Sequence, residues 1–425
     1  MEFINISGID REVSRIGLGT WAIGGWMWGG SDLALSLETI FAAFDMGINL
    51  VDTAPAYGAG LSEEIVGRAI AGRDRAQIVV ATKAGLESIE GNVRRNSTRE
   101  QIIREIEESL RRLQTDYIDI YQVHWPDSLV PIEETAAAMD RLYRQGKIRA
   151  IGVSNYSVQQ MDLFRAVAPL HTAQPPYNLF ERGIEQNVLP YCREQKISTL
   201  VYGSLCRGLL SGKMRPETRF IGDDVRKMDP KFQPLRYGQY LKTVERLDDF
   251  ARRHYDKRVI HLAVRWLLDQ PGVAIALWGA RRPDQLGPVE DVMGWSLDKA
   301  ALNAIDKIVR ETVADPVGPE FMAPPARRKS ILETKPTVQP QHEGINCFAY
   351  CKNKNSNGRG VPGRLCRCPV AAAASRDLLQ KVAKNKFRSD LYYRLNVFPF
   401  PSLTPGITLE AAERDHILRV LHETD

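Results

Sequence analysis

The stretch that decides the fold reads IVVATK at residues 78–83, REQIIREIEESLRRL at 99–113 and IDIYQVH at 118–124. The first and last pieces are short, apolar and rich in β-branched residues, as buried strands are. The middle piece repeats isoleucine and leucine at steps of three and four residues, which predicts an amphipathic helix. A strand, a helix and a second strand in this order predict parallel neighbours in one sheet.

The same alternation extends outward from residue 16 to about residue 300. The apolar runs are IGLGTW (16–21), NLVDTA (49–54), IVVATK (78–83), IDIYQVH (118–124), AIGVSN (150–155), TAQPPY (172–177), STLVYG (198–203) and VAIALWG (273–279). A further helical segment, IEETAAAMDRLYRQG (132–146), closes on a glycine, which is a common helix stop. Eight strands that alternate with helices predict an α/β fold of the closed (β/α)₈ type, a TIM barrel.

The composition fits one such barrel with an irregular C-terminal extension. The chain has 425 residues, of which 44% are hydrophobic, and a barrel of this kind takes about 250. The formal net charge is only +5, and the basic residues are dispersed, so no nucleic-acid partner is expected. The opening residues carry no apolar signal core, and no run approaches the ~18 apolar residues of a membrane span. We expect a cytoplasmic protein, monomeric or weakly associating, with a small-molecule substrate and no membrane.

Four polar side chains lie at the predicted strand ends, where barrels of this type carry their reactive groups. They are Asp52, Tyr57, Lys83 and His124. Each has an ordinary explanation when taken alone, such as a helix cap, a solvent-exposed lysine, a loop aromatic or a core histidine. An aspartate and a lysine that both end apolar strands would, however, be costly to bury without each other.

This constellation suits the delivery of a proton to a carbonyl oxygen. The charge of Lys83 is expected to stabilise the phenolate of Tyr57 and lower its pKa, and Asp52 is expected to keep the lysine charged. His124 can then orient the substrate oxygen or share the proton. The sequence therefore predicts an enzyme with Tyr57 as general acid.

Several motifs closely resemble the aldo-keto reductase family. They are IGLGTW (16–21), LVDTAPAYGAGLSEEIVGRAI (50–70), VVATKAG (79–85), DYIDIYQVHWPD (116–127), GKIRAIGVSNYS (146–157), YGSLCRGLLSGK (202–213) and GARRPDQL (279–286). They cover roughly residues 1–314 in order. The resemblance implies hydride transfer between NADPH and the carbonyl of an aldehyde or ketone, and the family's catalytic tetrad falls on the four residues above.

The sequence excludes one common way of holding the cofactor, because no G-x-G-x-x-G follows any predicted strand. The resemblance implies instead a dinucleotide extended across the barrel mouth, with Ser154, Asn155 and Gln174 at the nicotinamide carboxamide and Tyr202 on its ring. The loop after the seventh strand, 203–208, would offer backbone N–H groups and a guanidinium to the pyrophosphate. The residues assigned to the cofactor are Gly19, Thr20, Trp21, Ser154, Asn155, Gln174, Tyr202, Gly203, Ser204, Leu205, Cys206, Arg207, Gly208, Gly279, Arg281, Gln285 and Asp291.

Two arginines after the eighth strand bear on the choice of cofactor. Arg281 and Arg282, with a helix N-terminus, suit the 2′-phosphate of NADPH and predict a preference for it over NADH. The alternative is that both are part of a solvated helix start. The family usually places Glu-Asn soon after this motif, whereas here Gly287-Pro288-Val289 precede Glu290 and Asp291, so the adenine contacts stay open.

The substrate side is less readable. Trp21, Tyr57 and Trp125 are expected to line the pocket, while Trp26 and Trp28 are left open. A polar, proline-containing loop at 214–234 is expected to cover the site. Simple aldehydes, ketones, sugars and pyridoxal-like compounds all stay possible as substrates, because one fold and one tetrad serve them all.

The C-terminal quarter departs from the barrel pattern. Residues 315–345 are proline-rich and predict a linker, and residues 346–425 predict a partly disordered appendage with helices at 376–385 and 408–423. Its cysteines are spaced C-x₃-C and C-x-C, and the tight second pair argues against a structural zinc. Clustered cysteines in one short stretch do not form the disulfide framework of a large cytosolic domain. No metal is expected.

The end of the chain resembles another family. Residues 375–400 are similar to a fragment of the ATPase domain of bacterial enhancer-binding transcriptional activators, and residues 409–425 resemble the helix that opens the DNA-binding segment of those proteins. The resemblance assigns nucleotide-sensing arginines to Arg388 and Arg394. No phosphate-binding G-x-x-x-x-G-K-[ST] lies upstream, so ATPase activity is not expected. The alternative function for the whole chain is a nicotinamide-sensing regulatory protein.

Overall fold

The structure, a computed structural model, describes residues 1–89 and 91–327. The strands in this part of the chain are β1 (Phe3–Asn5), β2 (Glu12–Ser14), β3 (Ile16–Gly19), β4 (Leu50–Asp52), β5 (Val79–Ala84), β6 (Leu86–Ile89), β7 (Asn92–Arg95), β8 (Ile118–Val123), β9 (Ile148–Ser154), β10 (Thr172–Gln174), β11 (Ser198–Val201) and β12 (Val273–Gly279). The α-helices described are α1 (Leu33–Asp45), α2 (Leu61–Ile70), α3 (Arg99–Leu113), α4 (Ile132–Arg144), α5 (Val158–Arg165), α6 (Val188–Glu194), α7 (Arg236–Tyr255), α8 (Val259–Leu268) and α9 (Lys299–Thr312). None of these helices is long and apolar enough to span a bilayer, and the cytoplasmic location stays a prediction.

Eight parallel strands of the described chain close a barrel in the order β3, β4, β5, β8, β9, β10, β11 and β12, with β12 pairing back to β3. Each of them comes from one of the predicted apolar runs, so the TIM-barrel prediction is confirmed. Six of the eight runs overshoot their strands at the C-terminal end, most clearly at 172–177, where β10 stops at Gln174. Pro175 follows directly and cannot donate to a strand ladder, which explains the early end.

The helices predicted in detail form as expected. α3 spans the predicted 99–113, starts at the N-cap Thr98 and buries Ile102 and Ile106 against the barrel. α4 stops at Arg144, just before Gly146, which adopts a positive φ of 73°. Glycine reaches this conformation at little steric cost, so it ends the helix cleanly.

An antiparallel hairpin of β1 and β2, which the sequence interpretation missed, closes the N-terminal end of the barrel. Ile6 and Val13 are at most 2% exposed and share one apolar cluster with the barrel residues Leu50, Val79 and Ile120. Burying one such side chain contributes roughly 1.5–3 kcal/mol. The hairpin therefore acts as a packed plug at the end of the barrel away from the strand ends.

Two further segments enlarge the C-terminal mouth. The antiparallel hairpin β6–β7 follows β5 directly and was also missed, although Gly91, with a φ of 78°, is a turn signal in the sequence. The connection 202–235 follows β11 and contains only short 3₁₀ turns within its described residues. Its residues 214–234 are the loop expected to cover the site.

The folded unit extends past the predicted boundary at residue 314. The backbone N–H of Arg95 donates to the Pro325 carbonyl at 3.1 Å, and Arg327 pairs with Asp127 at 3.2 Å. Residues 315–327, predicted as the start of a linker, therefore form a C-terminal strap across the barrel mouth. The rest of that linker, the appendage 346–425 and its two expected helices lie outside the described residues.

Candidate active site

The centre of the mouth is a buried ion pair between two neighbouring strands. Lys83 of β5 lies 2.7 Å from Asp52 Oδ1 of β4, and the two side chains are 1% and 4% exposed. The lysine also donates to the Thr53 carbonyl at 2.9 Å. Burial lowers the pKa of Lys83, and the Asp52 carboxylate opposes that shift. The pairing that the sequence required of two buried opposite charges is thus present.

Two glutamines hold the other oxygen of the carboxylate. Gln174 donates to Asp52 Oδ2 at 2.7 Å from β10, and Gln122 donates to the same oxygen at 3.4 Å from β8. Both amides are buried. Asp52 is therefore fixed by donors from three strands, and Gln174, assigned to the cofactor from the sequence, also orients this carboxylate.

Tyr57 completes the arrangement from the loop after β4. Its hydroxyl accepts from Lys83 Nζ at 3.3 Å, and its ring stacks on Trp21 with centroids 6.2 Å apart. Burial, together with the Asp52 carboxylate, raises the pKa of Tyr57 well above its ordinary value of 10.0. The expected net lowering of this pKa was wrong, because burial, reinforced by the Asp52 carboxylate, disfavours the charged phenolate. The phenol is protonated at neutral pH, as a proton donor must be.

His124 lies on the opposite side of the tyrosine. The two rings meet edge to face at 5.8 Å. Burial and then the Lys83 cation lower the pKa of His124 well below 6.5, so the imidazole is neutral at pH 7. Asn155 donates to the His124 carbonyl at 3.0 Å and holds the backbone at this strand end. All four residues predicted for catalysis therefore meet at one point of the mouth.

A cavity of about 820 Å³ opens above these residues and runs to the end of β12. The residues assigned from the sequence that line it are Gly19, Thr20, Trp21, Asp52, Tyr57, His124, Trp125, Ser154, Asn155, Gln174, Tyr202, Gly203, Ser204, Leu205, Arg207, Gly208, Gly279, Arg281, Arg282 and Gln285. Trp26 and Trp28, left open before, line it too. The indole N–H groups of Trp21 and Trp28 are buried and have no hydrogen-bond partner in the described chain, so they are available to a ligand.

The part of the cavity predicted to hold the nicotinamide carries a connected polar set. Tyr202 donates its hydroxyl to Asn155 Oδ1 at 2.8 Å, and the Asn155 amide donates to Ser154 Oγ at 3.0 Å. The Ser154 hydroxyl in turn donates to the Gln174 carbonyl at 2.8 Å. These groups are pre-positioned by one another, and an amide-bearing ring fits the donors and acceptors that they offer.

The space along the mouth also fits a dinucleotide. A Cβ added at Gly279 would meet no atom within 4 Å, so the missing side chain leaves an open floor. Gly203 and Gly208 adopt positive φ values of 70° and 88° and turn the loop's backbone along the cavity. At the far end Arg281 and Arg282 line the wall.

The predicted helix N-terminus near these arginines was wrong. Two short 3₁₀ helices, Pro283–Gln285 and Gly287–Val292, follow β12 there in place of an α-helix, so the positive charge rests on the side chains. Arg281 donates its guanidinium to the Trp28 carbonyl, and Arg282 pairs with Asp284 at 2.9 Å. The phosphate end is therefore a pair of arginines, each with one partner.

Three of the cofactor assignments need correction. Cys206 is fully buried and does not line the cavity. Asp291 does not line the cavity either, and its carboxylate pairs with Lys257 at 2.6 Å. Arg207 lines the cavity, but its guanidinium is taken up by Glu181 and by Asp229, which lies 2.6 Å away. Motif matching placed these residues along the chain without revealing which side each would face.

Sequence reasoning missed three groups of lining residues. They are Leu86, Asn92 and Val93 from β6–β7, Phe220, Val225 and Arg226 from the covering loop, and Phe321, Met322, Pro324 and Pro325 from the C-terminal strap. The covering loop itself was predicted, because its length and polarity are unusual. The strap carries no comparable signal, because a proline-rich stretch has the same sequence pattern whether or not it packs against the barrel.

Residues 1–89 and 91–327 contain no cluster of three potential metal ligands, so no metal site is found in this part of the chain. Cys192 and Cys206 are both free thiols. The four tail cysteines and the assignments to Arg388 and Arg394 lie outside the described residues.

A closed parallel barrel with a lysine-linked tyrosine at its mouth defines a barrel oxidoreductase. The chain belongs to the aldo/keto reductase family, whose model matches residues 15–310. It is 61% identical to the aldo-keto reductase YhdN of Bacillus subtilis over 331 residues, which cover 77% of this chain and 100% of that protein. It is also 36% identical to the NADH-specific methylglyoxal reductase of Escherichia coli over 301 residues, 67% of this chain and 91% of the relative.

Two solved structures agree with this placement. The glycerol dehydrogenase of Gluconobacter oxydans is 52% identical, with a TM-score of 0.69, over 76% of this chain and 99% of that one. An aldo/keto reductase from Klebsiella pneumoniae in complex with NADP and acetate is 27% identical, with a TM-score of 0.55, over 76% and 96% of the two chains. A second family model, the Sigma-54 interaction domain, matches residues 363–401, which confirms the resemblance seen in the tail.

Proposed function

We propose that this chain reduces the carbonyl group of an aldehyde or ketone with NADPH, and that Tyr57 is the general acid. The observation that carries the proposal is the buried Lys83, which bridges Asp52 at 2.7 Å and the Tyr57 hydroxyl at 3.3 Å, two residues that line a large cavity. A protonated phenol beside a buried ammonium is suited to give up its proton when negative charge develops on a substrate oxygen.

The chain's own groups divide the work. Tyr57 donates its proton to the carbonyl oxygen, and the resulting phenolate is stabilised by the Lys83 ammonium, whose charge Asp52 maintains. Neutral His124 donates a hydrogen bond to the same oxygen and orients it. NADPH, when bound, supplies the hydride that reaches the carbonyl carbon.

The cofactor is proposed to lie along the cavity from the tyrosine to β12. Ser154, Asn155 and Gln174 would hold the carboxamide, Tyr202 would stack on the ring, and the backbone of 203–208 would face the pyrophosphate. The preference for NADPH rests on Arg281 and Arg282, which suit a 2′-phosphate. A relative named as NADH-specific makes this preference a point to measure.

The substrate is proposed to be a small or apolar carbonyl compound. Trp21, Trp125 and Phe321 form much of the wall around the tyrosine and favour apolar substituents. The names of two relatives add methylglyoxal and glycerol as compounds to try in the reducing and oxidising directions.

One assay tests this function. Purified protein is given NADPH or NADH with a panel of aldehydes, ketones and aldoses, and the loss of reduced cofactor is followed. We expect turnover with at least one class of carbonyl and a higher kcat/KM with NADPH. Tight NADPH binding without turnover on the whole panel would overturn the enzyme proposal.

That outcome would favour a second candidate, a nicotinamide-sensing regulator. Its support is the Sigma-54 interaction domain match at 363–401, which places a transcription-factor fragment on the same chain. The four predicted catalytic residues form a connected chain of contacts from Asp52 through Lys83 and Tyr57 to His124, which favours turnover over sensing. NADPH-dependent association with a transcription complex would be the observation that sets the regulator apart.

A further inference from the structure

A buried cluster of charges adjoins the cavity through Arg207 and is used by none of the steps above. It contains Arg207, Glu181, Asp229 and Lys231, and each of the four side chains is at most 3% exposed. Glu181 contacts both cations, with Lys231 Nζ 2.7 Å away, while Asp229 lies 2.6 Å from Arg207 Nε. Two cations and two anions balance, so Arg207 has no unpaired charge to give to a phosphate.

The cluster joins four segments, three of which line the cavity. Glu181 follows β10, Arg207 belongs to the loop after β11, and Lys231 belongs to the covering loop. Lys231 Nζ also donates to the Gly318 carbonyl of the C-terminal strap at 3.2 Å. The Arg207 guanidinium lies 5.6 Å from the ring centroid of Phe321, a strap residue that lines the cavity.

The loop that the cluster holds is strained. Cys206 and Arg207 are consecutive non-glycine residues with φ of 47° and 54°, a left-handed conformation that costs roughly 1–2 kcal/mol for each such residue. Strain of this kind persists only where the surroundings fix it. At the other end of the loop Asn178 donates both to Glu181 at 2.7 Å and to the Gly203 carbonyl at 3.0 Å, so the cluster fixes the loop at both ends.

We propose that Lys231 and Arg207 are positioning residues for the cofactor: they hold the strained loop 203–208 and fasten the covering loop and the strap around the bound dinucleotide. This inference rests on the proposed function, since it requires that the loop faces the cofactor. According to this inference, the guanidinium of Arg207 anchors the loop, and the backbone of Arg207 faces the ligand.

The test compares Lys231→Met with a matched control. Arg265 is also buried, 4% exposed, and pairs with Glu2 and Asp269 on the N-terminal side of the barrel. Arg265→Met should therefore lower thermal stability by a similar mechanism without reaching the cofactor. Each variant is titrated with NADPH by fluorescence, and kcat and KM are measured with the best substrate of the wild type.

We expect Lys231→Met to raise the Kd for NADPH at least about tenfold while kcat at saturating cofactor changes by less than about twofold. Arg265→Met should leave both unchanged. Protease cleavage within 214–235 should become faster in Lys231→Met, and NADPH should slow it again. Equal Kd values in the two variants would overturn the inference.

If Lys231→Met does not fold, the charge-balanced pair Lys231→Met/Glu181→Gln replaces it, because Arg207 and Asp229 then remain as a neutral pair. The same rise in Kd is expected, and an unchanged Kd contradicts the proposal. Failure of the wild type to bind or oxidise NADPH would instead contradict the proposed function. The two failures are therefore distinguishable.

Discussion

The side-chain amide of Gln174 donates to Asp52 Oδ2 at 2.7 Å and so couples the cofactor end of the site to its charged centre. A residue that the sequence assigned to the nicotinamide also orients the carboxylate that holds Lys83. Any change at Gln174 should therefore disturb cofactor binding and proton transfer together.

Gln174→Leu tests this coupling. Loss of the donor leaves Asp52 Oδ2 with only the longer bond from Gln122, at 3.4 Å. We expect kcat to fall by about tenfold or more, with a rise in KM for NADPH. Gln122→Leu is the control and should have a smaller effect on both constants. A larger effect from Gln122→Leu would show that the 2.7 Å bond is not the one that matters.

Tyr57→Phe removes the proposed proton donor and little else. Turnover should fall by at least about a hundredfold, since general acid catalysis contributes this much or more. NADPH affinity should stay nearly the same, because the ring and its stacking on Trp21 remain. Steady-state kinetics and a fluorescence titration measure the two effects. Retained turnover would mean that another group is the acid.

Arg282→Ala should weaken NADPH more than NADH. A charged contact to an exposed phosphate is worth enough to raise the Kd for NADPH roughly tenfold, and NADH has no 2′-phosphate to lose. Arg310→Ala, at an exposed position of α9, is the control and should change neither value. Equal losses for both cofactors would place Arg282 away from the 2′-phosphate.

Glu105 should make stability depend on pH. Burial raises its pKa from 4.5 to about 8, even though Gly85 N–H donates to it at 2.7 Å. Because the folded state holds the proton more tightly than the unfolded state, the contribution of Glu105 to stability should be greatest below about pH 4.5 and be lost as pH rises to about 8. At about 1.4 kcal/mol per pKa unit, the loss attributable to this group is on the order of a few kcal/mol.

Urea unfolding of the wild type and Glu105→Gln at both ends of this range checks the sign. The variant cannot ionise at this position, so its stability should vary less with pH. A wild type and a variant with the same pH dependence would show that Glu105 is already ionised in the folded protein.

Truncation tests the strap. A chain that ends at residue 327 keeps the bonds between Arg95 and Pro325 and between Arg327 and Asp127, so its kinetics should match those of the full chain. A chain that ends at residue 314 loses these bonds and the cavity residue Phe321, and it should lose activity and stability. Full activity in the shorter chain would show that the strap contributes nothing to the site.

The sequence predicted the barrel and the charged centre for a clear physical reason. Strand periodicity is local, and two opposite charges such as Asp52 and Lys83 at apolar strand ends have one inexpensive arrangement. The same holds for α3, because its N-cap residue and its apolar stripe both lie within residues 98–113.

The features that sequence reasoning missed depend on packing between residues far apart in the chain. The guanidinium of Arg207 pairs with the buried carboxylate of Asp229, which lies 22 positions away along the chain. The guanidinium turns to this carboxylate because a buried ion pair is more favourable for it than contact with solvent. The strap could not be inferred from a proline-rich stretch, since its order comes from Arg95 and Asp127 far upstream. The direction of the Tyr57 pKa shift was misjudged because it is set mainly by how deeply the phenol is buried, which the sequence does not reveal.

The hairpin plug of β1 and β2 stabilises the end of the barrel opposite the proposed chemistry. Because Ile6 and Val13 seal one end of the barrel and every proposed reactive group lies at the other, the two ends can accept mutations under different selection pressures. Loops around the mouth can be exchanged to retune substrate choice while the plugged end preserves folding. The molecule should therefore suit directed evolution, because the loops that can be exchanged are those that would determine a new substrate specificity.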